Sequence, residues 1–221
     1  MARKVSEERR AAIIDAAAQA LAREGLTETT TRKIAAAAGV NQAMIGYYFG
    51  GKDELLYAVL QEMMRRTAEI AGAELPHGAS FADALAQAME AFWRHVEEAP
   101  ELQVMQYELT LYALRRPQSA WLARSQYEGY CAIVARLIAE ASATYSEPLA
   151  ETPEALARFL VGGLDGMILQ FISDQNGQRA REDLRRLIAA TLALARGASV
   201  SSGVSSGACH QEEHHARATA R

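Results

Sequence analysis

Cysteine is nearly missing from this 221-residue chain. Only Cys131 and Cys209 are present, too few for a disulfide framework, and no cysteine pair has the spacing of a metal site. Proline is scarce as well, five in all, and no extended stretch alternates apolar and polar residues with the period of two that a half-buried strand needs. A sheet-based fold is thereby set aside. The uninterrupted apolar runs, such as 167–169, fall far short of the roughly 20 residues of a membrane span. The opening Met-Ala-Arg-Lys-Val-Ser-Glu-Glu runs straight into charge, so no signal peptide is read there. Ahead of residue 198 the only histidines are His77 and His95. No Ser/His/Asp, Cys/His or metal constellation can be drawn from them, which argues against an enzyme and calls for no cofactor. The expectation is a soluble, cytoplasmic, helical protein with no membrane partner.

Apolar side chains make up 50% of the chain, enough to bury a real core in one domain or two. The net charge of −4 gives no average sign of nucleic acid, but its distribution does. Residues 1–52 carry eight basic side chains (Arg3, Lys4, Arg9, Arg10, Arg23, Arg32, Lys33, Lys52) against five acids (Glu7, Glu8, Asp15, Glu24, Glu28), a surplus of +3. The rest of the chain holds −7. A basic head on an acidic body is the asymmetry expected when one end meets phosphates.

Helical spacing recurs almost everywhere. Ser6 reads as the cap of a first helix with Ile13, Ile14, Ala17, Ala18 and Leu21 on one stripe, ended by Gly25. Thr30 or Thr31 caps a short second helix that Gly39 breaks, and Asn41 caps a third that stops at Gly50-Gly51. A long fourth helix begins near Lys52. The text Pro76-His77-Gly78 breaks the pattern before Ser80 opens a fifth helix to about Glu98. Pro100 starts a sixth, and a seventh covers roughly 118–145. Thr152-Pro153-Glu154 supplies a cap, a proline at the first helical position and an acid in the first turn, so a helix is predicted from there to about Asn176-Gly177. A last amphipathic helix spans about 179–196. About nine helices and an all-α fold result. The Ser/Gly-rich stretch 198–221 has nothing to pack and reads as a disordered tail.

The informative segment is 30–56. Two short helices flank Ala38-Gly39-Val40, with Ile34, Ala35, Val40, Ile45 and Phe49 facing inward. A tight glycine-bearing turn of this kind lets the second helix project while the first braces it, which is helix-turn-helix geometry. Gln42, Ala43, Met44, Tyr47 and Tyr48 are then left outside. Small or adaptable groups near a helix start suit base edges, and phenolic hydroxyls suit phosphates.

The stretch Thr-Thr-Arg-Lys-Ile-Ala-Ala-Ala-Ala-Gly-Val-Asn-Gln-Ala-Met-Ile-Gly-Tyr-Tyr-Phe-Gly-Gly-Lys-Asp-Glu-Leu-Leu (30–56) resembles the DNA-binding domain of the tetracycline-repressor (TetR) family. Ile34-Ala35, Ala38-Gly39-Val40, Tyr48-Phe49 and Lys52-Asp53-Glu54-Leu55 carry the likeness, which covers about the first 60 residues. The resemblance implies that Thr30 or Thr31 contacts phosphate, that Gln42, Ala43 and Met44 face bases, and that Tyr47 and Lys52 clamp the backbone. Arg32, Asn41 and Tyr48 complete the candidate DNA set. Gly46 departs from the pattern, standing where many members carry tyrosine or asparagine. The domains expected are 1–52 for DNA, 53–197 for ligand binding and dimerisation, and the tail 198–221.

Aromatics and methionines collect in the middle helices. Met89, Trp93, Met105, Tyr107, Tyr112, Tyr127, Tyr130, Met167 and Phe171, with Glu108 among them, form the candidate ligand pocket. Any one of them also suits a helical core; as a set they are soft and polar-tipped, fit for a largely apolar ligand. Gly162-Gly163-Leu164-Asp165-Gly166 is no dinucleotide loop, because no strand precedes it. Glycines four apart instead permit close helix approach, which in the resembling family's architecture belongs at a dimer interface. Phe159, Gly162, Gly163, Gly166, Leu184, Leu187 and Ile188 are the residues expected there, with 153–174 and 179–196 forming a four-helix bundle between two copies. Asp165 needs a hydrogen-bond partner if buried. Cys209, His210, Glu212, His214 and His215 lie together in the tail, but no functional metal is assigned to them. The whole reads as a dimeric repressor of a palindromic operator, released by a small, largely apolar effector. A DNA-binding regulator with no such ligand, gated by a protein partner or ungated, is the other reading.

Overall fold

In a computed structural model, residues 2–72 and 80–197 are described. Among the described residues the chain is all-helical: α1 (Ala2–Glu28), α2 (Thr31–Ala37), α3 (Ala43–Phe49), α4 (Lys52–Gly72), α5 (Phe81–Glu98), α6 (Pro100–Leu114), a 3-10 turn (Pro117–Ser119), α7 (Ala120–Tyr145), α8 (Pro153–Asp174) and α9 (Gly177–Ala195). Both the Pro76-His77-Gly78 breaker and the tail 198–221 lie outside the described residues.

Side-chain hydrogen bonds fix several of the starts. Thr30 accepts from the Lys33 N–H at 3.2 Å, and Thr152 from Ala155 N–H at 3.2 Å ahead of Pro153. Ser80 and Asp83 form a reciprocal box, each side chain accepting from the other's backbone N–H. Asn176 accepts from Arg179 N–H, and Asn41 from Ala43 N–H at 2.9 Å. Ser6 is a correction. α1 begins at Ala2, with neither proline nor glycine before Ser6 to delay it, so Ser6 lies inside the helix. The break expected at Gly25 is present: its φ of 75° and ψ of 170° interrupt α1, a left-handed turn that glycine adopts without a Cβ penalty. α7 starts at Ala120 rather than 118, because Pro117–Ser119 winds as a 3-10 turn. Gln175 ends α8 in a left-handed conformation, and α9 opens at Gly177, ahead of the expected 179.

α8 is more apolar than its uninterrupted runs suggest. Arg158 and Asp165 divide its text, yet an 18-residue window within its 22 residues has a mean hydropathy of 1.5, enough by length and composition to cross a membrane. It packs instead between α7 and α9, with less than half of it buried. Three apolar clusters hold the helices. The first joins Ile13, Leu21, Ile34, Ile45, Leu55 and Leu60 of α1–α4 to Met105 and Leu109 of α6 and Leu122 of α7. The second sets Met89, Trp93 and Val96 of α5 against Leu160, Leu164, Ile168 and Phe171 of α8 and Leu184 and Ile188 of α9. A third gathers Phe81, Ile138, Leu156 and Ala195 at the far end.

Candidate nucleic-acid interface and internal cavity

α2 and α3 are pinned from beneath by Ile34, Ala35, Ile45 and Phe49, each under a tenth exposed. Gly39 takes a φ of 66° in the turn between them, and Val40 N–H closes back onto the Ala35 carbonyl at 2.9 Å. Above this base Thr30, Arg32, Asn41, Gln42 and Ala43 are exposed, and Tyr47 is 78% exposed. Thr31 and Met44 are half-buried; the Gln42 amide donates to the Thr31 hydroxyl at 3.2 Å, joining the starts of α2 and α3. Tyr48 is half-buried, edge-on to Tyr47 with ring centroids 5.1 Å apart. Lys52 resolves an apparent conflict, since a lysine at a helix start opposes the dipole. Its Nζ donates to the Thr29 carbonyl at 3.2 Å, at the end of α1, while Asp53 and Glu54 serve the α4 dipole. Lys33, by contrast, pairs with Glu24 at 3.0 Å. Nothing lies within 4 Å of a Cβ at Gly46, so a side chain there would project into open space.

The body holds a cavity of about 150 Å³. Val59, Glu62, Met63, Arg66 and Thr67 of α4 form one wall; Met89, Phe92 and His95 of α5 and Leu102, Gln103 and Gln106 of α6 form others. α7 contributes Tyr130, Ile133, Val134 and Leu137, and α8 contributes Val161, Leu164, Asp165 and Ile168. The lining is mostly apolar with a few converging polar groups, the usual composition of a small-molecule site. Tyr130 donates to Gln106 Oε1 at 2.9 Å. The Tyr107 hydroxyl donates to the Asp165 backbone carbonyl at 3.1 Å and lies 3.4 Å from its Oδ1, and the Tyr127 hydroxyl also acts on the carboxylate. Burial pushes the Asp165 carboxyl above its ordinary range, against the pull of those hydroxyls. It likewise raises the phenols of Tyr107, Tyr127 and Tyr130, with the Asp165 charge adding to the effect.

Of the ten residues expected to line a pocket, Met89 and Tyr130 line this cavity, and Tyr127 lines a second space beside Cys131 and Arg158. The rest have other work. Met105 belongs to the core beneath the helix-turn-helix. Glu108 accepts from the Leu26 N–H at 2.8 Å, and Tyr112 donates to Asp53 Oδ1 at 2.9 Å while the Ser119 hydroxyl donates to Oδ2 of the same carboxylate. The cause is register. Residues 105, 108 and 112 share one face of α6, turned to α1 and α4, while 103 and 106 share another, turned to the cavity. Trp93 is 1% exposed and sits edge-on to Phe171 with centroids 5.7 Å apart, its indole N–H on Glu97 at 3.1 Å. Met167 is partly buried against the same cluster. Tyr107 and Tyr127 reach the site only through Asp165. The missed wall of α4 was legible as a stripe at 59, 62/63 and 66/67, and that of α8 at 161, 164/165 and 168.

The expected dimer set also divides. Leu184 and Ile188 are buried in their own chain's core, and a Cβ at Gly163 would stand 2.5 Å from Leu187 Cδ1, so this glycine serves α8–α9 contact within one chain. Phe159, 43% exposed, with open Gly162 and Gly166 and 51% exposed Leu169, makes an outward stripe on α8. Among the described residues no three His, Cys, Asp or Glu side chains gather as a metal site.

Two family models match this sequence. That for bacterial regulatory proteins of the tetR family covers residues 13–59, and that for the tetracyclin repressor-like C-terminal domain covers residues 78–194. The chain belongs to the TetR family of transcriptional regulators. Members are non-enzymatic DNA-binding regulators, and the nine helices among the described residues are the TetR head and body. Among TetR relatives, the nicotine-responsive transcriptional repressor HdnoR of Paenarthrobacter nicotinovorans is 28% identical over 190 residues, covering 84% of this chain and 94% of that protein. The crystal structure of the multidrug binding protein EbrR with imidazole is 30% identical, with a TM-score of 0.58 over 81% of this chain and 94% of that one. The fold also matches Thermus thermophilus FadR, a TetR family repressor in complex with lauroyl-CoA, with a TM-score of 0.63 at 20% identity over 84% and 94% of the chains.

Proposed function

We propose that this TetR-family chain is a cytoplasmic repressor that binds a palindromic operator as a homodimer and leaves it when a small, largely apolar effector fills the cavity. The observation that carries the reading is the sharing of α4 and α6 between the two sites. α4 starts with Lys52 and Asp53 at the head and lines the cavity from Val59 to Thr67. α6 lines it with Gln103 and Gln106, and one turn further on holds α1 through Glu108 and α4 through Tyr112. A ligand that shifts either helix changes the pose of the reading heads, and the duplex tolerates little change in their spacing. HdnoR, a nicotine-responsive repressor, and EbrR, solved with imidazole, support a small-molecule effector.

In this reading residues 1–52 are the DNA head and 53–197 the effector and dimer body. Gln42, Ala43 and Met44 read bases. Thr30, Thr31, Arg32, Asn41, Tyr47, Tyr48 and Lys52 hold phosphates. The α8 stripe of Phe159, Gly162, Gly166 and Leu169, continued on α9, meets its counterpart across the two-fold axis; an obligate interface of this type buries more than about 2,000 Å². The test begins with an operator selected from a random DNA pool. Anisotropy on that duplex, with nicotine and imidazole as first probes, should show weaker binding when a probe fills the cavity. Leu137→Trp, which places an indole in the cavity, should bind operator and ignore the probe. If the tryptophan variant still responded, the effector site would lie elsewhere.

A further inference from the structure

We propose that the effector carries a positive charge, a protonated or quaternary amine on an apolar frame, and that Asp165 is its counter-ion. The proposal rests on the effector reading above and specifies its chemistry. Asp165 lines the cavity from the middle of an apolar helix, between Leu164 and Ile168. A carboxylate taken out of water is costly unless a cation or a full set of hydrogen bonds compensates it. Here the compensation is partial. The groups acting on Asp165 are its own burial and the hydroxyls of Tyr127 and Tyr107; among the described residues no lysine, arginine or histidine is one of them. An ionised carboxyl offers about four acceptor sites, and two hydroxyls leave capacity over.

The cavity's own basic groups are otherwise placed. The Arg66 guanidinium is held by Glu62 at 2.8 Å and Asp15 at 2.6 Å, which neutralises it at the rim. His95 lines the cavity from the last turn of α5 and does not act on Asp165. A neutral effector would seal the Asp165 charge under an apolar lid, and an anionic one would face it directly. A cation removes the cost, and the rings of Tyr130 and Phe92, lining the same cavity from α7 and α5, offer it aromatic faces. An engineered cavity of about 150 Å³ admits benzene, so the frame is of the order of one substituted ring.

Three probes of matched shape test this by calorimetry on the full chain: benzyltrimethylammonium, the neutral 2-methyl-1-phenylpropan-2-ol, and phenylacetate. The ammonium ion should bind about tenfold or more tightly than the alcohol, with phenylacetate weakest. Asp165→Asn keeps an acceptor for both tyrosines and should remove the ammonium preference while changing alcohol affinity less than twofold. The variant alone should melt at or above the parent temperature, since a half-buried, only partly compensated charge is gone. An alcohol or phenylacetate that binds at least as tightly and lowers operator affinity would overturn the cation and leave the effector site standing. Probes that all fail to bind would overturn both. A lower melting temperature or loss of the dimer in Asp165→Asn would make Asp165 a structural acceptor and sink the counter-ion role.

Discussion

The two ends of α4 face different surroundings. At Lys52 the helix is half-buried beside the exposed side chains of the head; from Val59 to Thr67 it faces a partly open, largely apolar cavity. The head presents groups that the fold barely needs, such as Tyr47, and keeps its stability in Ile34, Ile45 and Phe49 beneath them. In the body the same layer of side chains forms both core and binding wall, as Met89 does. Substitutions in the head should therefore separate DNA affinity from stability, whereas those in the body should not.

The largest effect is expected in the body. Trp93→Ala removes a fully buried ring and its contact with Phe171, and should cost about 3–5 kcal/mol in a denaturant melt. A loss below about 1 kcal/mol would place Trp93 against a void and restore it to the cavity wall. Gly163→Leu forces a side chain onto Leu187 and should cost about 1–3 kcal/mol with α8–α9 packing disturbed. Gly162→Leu meets nothing within the chain, so it should leave the monomer fold alone and weaken the dimer by light scattering. Equal damage to folding from both glycines would break the distinction between inner and outer faces of α8.

In the head, Tyr47→Phe should leave the melting temperature within a degree or so and weaken operator binding for every sequence, whereas Gln42→Ala should relax sequence preference. Lys52→Ala should lower the slope of log affinity against log salt by about 1. Its bond to the Thr29 carbonyl adds a stability loss of about 1 kcal/mol, so it tests the comparison at the joint between regions. An unchanged salt slope would show the ammonium spent wholly on the carbonyl.

The smallest effects are in pH. Hydrogen bonds from Arg65 hold Glu62 down to about 2, so its contribution is present above the ordinary carboxylate value and fades as pH falls toward 2. Solvent screens this rim pair, and Glu62→Gln should cost no more than about 1 kcal/mol at neutral pH. Asp165 runs the other way. Its raised value means the folded state holds the proton longer, so stability falls as pH rises through the window between the ordinary and the raised value. Asp165→Asn should flatten that decline in a melt series from pH 4 to 8.

The head was legible because its logic is local. Thr30, Gly39, Asn41 and the inward Ile34 and Ile45 act within a few residues of one another, so spacing alone placed them. The helices of the body were legible for the same reason, from Ser80, Thr152-Pro153 and the apolar stripes. The cavity was not. Whether Met105 or Gln106 faces it depends on how α6 rotates between α1 and α7, and composition favoured methionine where the fold used glutamine. Tyr112 and Glu108 looked like pocket residues because aromatic and acidic side chains within an apolar helix signal use; their use is to join head to body. Gly163 and Gly162 differ only by which side of α8 they occupy.

The claim that one pair of helices serves both sites is tested most directly by measuring operator affinity and effector affinity each in the presence of the other, in the parent and in Tyr112→Phe. The account predicts that effector weakens operator binding about 5- to 150-fold, that operator weakens effector binding by the same factor, and that loss of the Tyr112–Asp53 hydrogen bond shrinks both factors together. An effector that occupies the cavity while operator affinity stays unchanged would contradict it.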